Sequence, residues 1–230
     1  MTTTLFLLFV AAMAVVTGWL IWRSLSNRFA IIATVALAAW LAYVGLIGHA
    51  GVIRNTDMKL PGVVFLFVPV LLFLAVFVVR TLGGNLVAVP LTVLMALQSS
   101  RVIVELFIHQ LWLDGIVPRM LTYSGANVDI YVGATALIVA WLSSHWERGR
   151  QLAVIWNLLG LLALANVVVR AVLTAPGPLH LIHAEVPNLM IGTFPYMFIP
   201  GLFVPLAVVL HVSALRAAIA KGSRATTSAT

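Results

Sequence analysis

The chain has 230 residues, 63% of them hydrophobic and 8% charged, with a mean hydropathy of +1.13. Those values exclude an ordinary soluble domain and leave an integral membrane protein with no length to spare for a second unit. The formal charge of +7 does not point to nucleic acid, because the basic residues fall between apolar stretches rather than on a basic, aromatic-laced surface.

A hydrocarbon core of about 30 Å needs roughly 20 apolar residues per helix. Seven stretches qualify: Leu5–Trp22, Phe29–Gly48, Pro61–Val79, Leu86–Trp112, Asp129–Ser144, Leu152–Leu173 and Pro195–Ala220. The expected fold is therefore all-α, a bundle of seven transmembrane helices over residues 1–221, followed by a disordered Ser/Thr/Ala-rich tail at 222–230. The first stretch does not read as a cleavable signal peptide, because Met1-Thr2-Thr3-Thr4 lacks a basic leader. Placing the N-terminus outside puts Arg23, Arg28, Arg80, Arg148, Arg150, Arg216, Lys221 and Arg224 on the inner side. Arg54, Lys59, Arg119 and Arg170 then lie outside, and eight against four predicts N-out, C-in. With that orientation the acidic residues gather at the outer side (Asp57, Asp114, Asp129, Glu185), as do His49, His109, His180 and His183. The outer connections are also the longer ones, which is where a helical scaffold usually carries binding groups.

The fourth stretch is polar where a membrane helix should not be. At about 100° per residue, Gln98, Arg101, Glu105, His109 and Trp112 fall within an arc of roughly 80°. Ionisable groups at membrane depth cost roughly 2.5–3.5 kcal/mol each, so they usually face the bundle interior and mark function. The simplest reading of Arg101 and Glu105 is a local ion pair four residues apart. The functional reading adds His109, then Asn127 and Asp129 from the fifth stretch and its approach, and Asn166 with Arg170 from the sixth. Together these would line an outward-opening polar cavity, and two arginines would favour an anionic ligand or lipid head group.

His180 and His183, three residues apart, have metal-ligand character. A catalytic zinc needs three protein ligands, so His49, His109 or Glu185 would have to complete the set. A bis-His haem would need two facing histidines, and His49 with His109 is the pair that fits the expected depth. His211, deep in the last stretch, reads most simply as a buried histidine hydrogen-bonded across helices. Pro200 and Pro205 should bend the helix that carries it. Phe67-Val68-Pro69 and Phe198-Ile199-Pro200 each open a run towards Arg80 and His211, a pattern compatible with an internal duplication. The chain has no Cys, which excludes disulfides, thiolate zinc and iron–sulfur sites. No stretch holds a Lys, which excludes a retinal Schiff base, and no Walker or Gly-x-Ser-x-Gly motif is present.

At Ser100-Arg101-Val102-Ile103-Val104-Glu105, Ser124-Gly125-Ala126-Asn127-Val128-Asp129, and Phe194-Pro195 through Val204-Pro205 to His211, the chain resembles a group of small uncharacterised bacterial polytopic membrane proteins. The resemblance implies a bacterial inner membrane and singles out Arg101, Glu105, Asn127, Asp129 and His211, but brings no activity. Three functions follow from the residues. One is binding or transport of a small, anionic molecule at an outward-facing polar site. Another is a metal-dependent hydrolase or transferase acting on lipid or a periplasmic small molecule, with Glu105 or Asp129 as base. The last is a structural subunit, either of a homo-oligomer or of a larger membrane complex.

Overall fold

The computed structural model describes residues 2–54, 61–82 and 89–227. Asp57 and Lys59 of the outer-side assignment, and residues 228–230 of the expected tail, lie outside these. Seven long helices run through the described residues: α1 (Thr2–Ser24), α2 (Asn27–His49), α3 (Val64–Leu82), α4 (Leu91–Leu113), α5 (Asp129–His145), α6 (Gly149–Thr174) and α7. The last begins as a π turn, Ile199–Phe203, and continues as Val204–Thr227. No strand occurs among the described residues.

Six of the seven are long and apolar enough to cross a membrane. The protein is therefore a multi-pass membrane protein whose exposed apolar faces meet lipid, as Val15, Ile31, Leu72 and Val79 do on α1 to α3. The exception is α5. Its 17 residues rise about 25 Å, short of a full hydrocarbon core. The reason lies in the preceding connection, which folds back into the bundle so that α5 starts beside the middle of α4. The expected start of the fourth stretch at Leu86 lies outside the described residues. From Leu91, just after Pro90, the helix runs on to Leu113.

Helix α4 ends in a Schellman turn. Gly115 adopts φ +72°, the Ile116 N–H reaches Leu111 O and the Gly115 N–H reaches Trp112 O. This turn sends residues 116–128 back beside α4, with Val117, Leu121, Thr122 and Asn127 buried. Irregular backbone at such depth is tolerated only when its polar groups are met inside the protein. They are: Asn127 Nδ2 donates to Leu121 O at 2.9 Å, Thr122 Oγ1 to Arg119 O at 2.8 Å, and Asn166 Nδ2 to Ala126 O at 3.2 Å.

The core sits among α4, α5, α6 and α7. Gly133 lets α5 approach closely, since a Cβ there would stand 2.8 Å from Val102 N and 3.2 Å from Arg101 Cβ. α1 closes one side through Phe6, whose ring centroid lies 5.0 Å from Phe107 and 5.1 Å from Tyr196, and Phe9, 4.9 Å from Phe203. α2 meets the start of α7 by a polar contact with a clear cause. Pro205 has no N–H to give to Gly201 O one turn earlier, and Trp40 Nε1 donates to that carbonyl at 2.8 Å.

Candidate functional site

The polar arc of α4 divides along its length. Gln98, Arg101 and Glu105 are buried to at least 95%, whereas His109 and Trp112 meet the 114–128 connection instead. His109 stacks on Tyr123 with centroids 4.5 Å apart, and its Nδ1 is 3.4 Å from Ser124 Oγ. Trp112 carries the Arg119 guanidinium 5.9 Å from its ring centroid. Periodicity put these residues on one face, but the returning connection caps the Leu113 end of that face.

Arg101 does not bond Glu105, its neighbour one turn away. Its Nε donates to Asp129 Oδ2 at 3.0 Å, and its Nη2 forms an ion pair with the same carboxylate. The reason is the short α5: because that helix begins at depth, Asp129 arrives level with Arg101. An interhelical carboxylate replaces the local one. Arg101 Nη1 is 2.8 Å from His211 Nε2. A guanidinium only donates, so Nε2 accepts and the ring proton sits on Nδ1. From there it is donated to Asn157 Oδ1 at 2.8 Å, and Asn157 Nδ2 donates to Ala153 O at 2.7 Å. A continuous chain therefore joins α5, α4, α7 and α6 through Asp129, Arg101, His211 and Asn157. His211 is a buried histidine hydrogen-bonded across helices, as the sequence suggested. Gly160 makes its position available, since a Cβ there would collide with the imidazole.

Glu105 is held from the connection. Asn127 Nδ2 donates to Glu105 Oε2 at 2.7 Å, while Asn127 Oδ1 accepts the N–H of Asp129 at 2.9 Å. One asparagine thus places both carboxylates, closing an Asx turn at the first residue of α5. Gln98 donates to Ala207 O of α7 at 3.2 Å, one turn before His211.

Arg101, Glu105 and Asp129 form one end of a cavity of about 70 Å³. Its other walls are apolar and come from α3 (Phe67), α4 (Val104, Ile108), α6 (Leu164, Val167) and the π turn (Ile199, Phe203), among others. The π turn is part of this wall, and such turns are frequent at functional sites. Asp129 Oδ1 and Gln98 Oε1 are buried yet receive no hydrogen bond from the described residues, and Arg101 Nη2 has only its ion pair with Asp129.

The other expected site residues are elsewhere. Asn166 and Arg170 bond each other, Arg170 Nε donating to Asn166 Oδ1 at 2.8 Å, and line a separate shallow groove on α6 with Leu162, Val169 and Ile182. Only one of the two arginines expected in the cavity is there. The metal candidates do not meet. His180 Nε2 lies 3.0 Å from His183 Nδ1, but Glu185 Oε1 accepts the backbone N–H of Arg119, and the exposed His49 ring packs edge-on to Phe194 at 6.0 Å. No three His, Asp or Glu side chains converge to hold a metal among the described residues. His49 and His109 are held by these different partners and do not form a facing pair.

Asn157 was not among the site residues read from the sequence, and His211 had no partner there. The stretch bounds read from the sequence hid the match, since they put Arg101 15 residues from Leu86 and Asn157 5 from Leu152. In the structure Arg101 lies 10 residues from Leu91, Asn157 8 from Gly149 and His211 9 from Ala220. These offsets correspond to roughly 12–15 Å of rise from the same end of three helices.

The chain belongs to the family described as domain of unknown function DUF8737, which matches residues 59–219. That span holds every residue of the buried chain and the cavity wall, while α1 and α2 precede it. Neither curated proteins nor solved structures give a match.

Proposed function

We propose that this family member binds a small molecule in the cavity that ends on Arg101, Glu105 and Asp129, as a binding or transport protein of a bacterial inner membrane. The observation that carries the reading is the combination of an apolar intrabundle cavity with three buried ionisable groups on one wall, one of which keeps an oxygen without a partner. Pockets of this make-up, mostly apolar with a few converging polar groups, are the usual form of small-molecule sites. The distribution of Lys and Arg supports a seven-crossing, N-out arrangement with α5 as the short crossing, and the cavity then opens towards the outer half.

A second reading is supported by the unbroken chain from Asp129 to Asn157. Four helices joined through one buried guanidinium make an interhelical clamp, as a structural subunit would need. The enzymatic reading has less support, since its metal ligands do not converge.

A cavity-filling variant separates binding from clamping. Val167→Phe places a ring in the cavity from α6 and leaves the polar chain untouched. A panel of small charged and neutral molecules is screened by thermal unfolding of the detergent-purified protein. Binding to the folded state raises the midpoint by mass action. At least one class should stabilise the wild type and lose its effect in Val167→Phe. If no class does so, or if both proteins respond alike, the clamp is the better account.

A further inference from the structure

The chemistry of the cavity wall restricts what it can take. Of the three ionisable groups there, two are carboxylates and one is a guanidinium. The guanidinium is turned to Asp129 Oδ2 and His211 Nε2, its Nη2 held by the ion pair alone. His211 accepts from Arg101 and in that tautomer carries no charge. The site therefore sets two carboxyl groups against one guanidinium. Asp129 Oδ1, in a residue only 4% exposed, has no donor. Both hydrogens of the Asn127 amide are committed, to Glu105 Oε2 and Leu121 O. The apolar walls hold no donor and Arg101 Nη2 already faces Asp129 Oδ2, so a partner for Oδ1 is best brought by the ligand. A buried carboxylate oxygen without a partner is costly, and a charged donor is the group that relieves it best.

Size narrows the class further. Allowing roughly 15 Å³ for each water-sized position, the cavity admits about five non-hydrogen atoms. Phe67 and Phe203 on the wall add ring faces or edges suited to a cation or its alkyl stem.

We propose that the cavity takes a small alkylammonium ion, its N–H groups directed to Asp129 Oδ1 and the Glu105 carboxylate and its alkyl part against the aliphatic wall. This rests on the cavity being a binding site and names the ligand class. It also reverses the anion preference that a second arginine would have brought, because Arg170 lies in another groove.

The test uses the full chain in detergent at fixed ionic strength, with n-butylammonium, n-butanol and butyrate as probes of equal length and different charge. Saturable thermal stabilisation by n-butylammonium is expected, with butanol at least tenfold weaker and butyrate without effect. Glu105→Gln retains an oxygen for Asn127 and should unfold near the wild-type midpoint while binding n-butylammonium about tenfold more weakly. Equal or tighter binding of butanol or butyrate would overturn the inference, as would an unchanged response in Glu105→Gln. Should that variant fail to fold, the three probes on the wild type still decide. If butanol binds in a way that Val167→Phe abolishes, but n-butylammonium has no advantage, the cavity stands and the cation inference falls. If no probe binds, both fall.

Discussion

Removing Arg101 tests which carboxylate is its partner. Arg101→Met deletes the donors to Asp129 Oδ2 and to His211 Nε2 while keeping most of the side-chain volume. Breaking a buried ion pair from one side costs about 3–5 kcal/mol, because the surviving charge is left without compensation. An orphaned carboxylate can relieve part of this by taking a proton, which places the expected loss near the lower end, about 3 kcal/mol. Asp129→Asn should cost a similar amount. The double variant Arg101→Met/Asp129→Asn removes both charges together and should cost little more than either single change. A coupling energy of about 2–3 kcal/mol follows. The same cycle between Arg101 and Glu105 should give under about 0.5 kcal/mol, since Glu105 is held by Asn127. Reversible unfolding of the purified protein in mixed micelles measures both cycles. Strong coupling to Glu105 with weak coupling to Asp129 would refute the interhelical pairing and restore the local one.

Gly160→Ala places a methyl group against the His211 ring, and overpacking of that kind costs about 1–3 kcal/mol; His211→Ala in the same chain should recover part of the loss in the same unfolding assay. Trp40→Phe deletes the donor to Gly201 O and should destabilise by about 1 kcal/mol. Combining it with Pro205→Ala, which returns a backbone N–H near that carbonyl, should reduce the deficit, and an additive pair would argue against the capping role. His180→Ala/His183→Ala alters a loop pair away from the cavity, His183 exposed and His180 half-buried with its Nδ1 3.1 Å from Ala175 O. It should leave stability within about 0.5 kcal/mol and the zinc-to-protein ratio from elemental analysis unchanged. A near-stoichiometric zinc signal lost in that variant would establish a metal site there.

Much of this architecture follows from composition. Apolar runs of membrane length separated by short polar links dictate helices, because only helices satisfy their own backbone in lipid. The polar arc of α4 was legible in the same way, since a 3.6-residue period places Gln98, Arg101 and Glu105 on one face whatever surrounds them. The cost of burying charge then made that face the interior one. Periodicity along one helix says nothing about the depth at which its neighbours begin. Asp129 became the partner of Arg101 because the Gly115 turn sends residues 116–128 back into the bundle, a path that a count of apolar residues reads as an outer loop. For the same reason Arg170, on the expected side of the bundle by sequence, lies in a different groove, and His211 found Arg101 only once Gly160 had opened room for its ring. What the tertiary structure alone decided was which groups at equal depth face one another, because that depends on helix offset and rotation set by packing between elements distant in the chain.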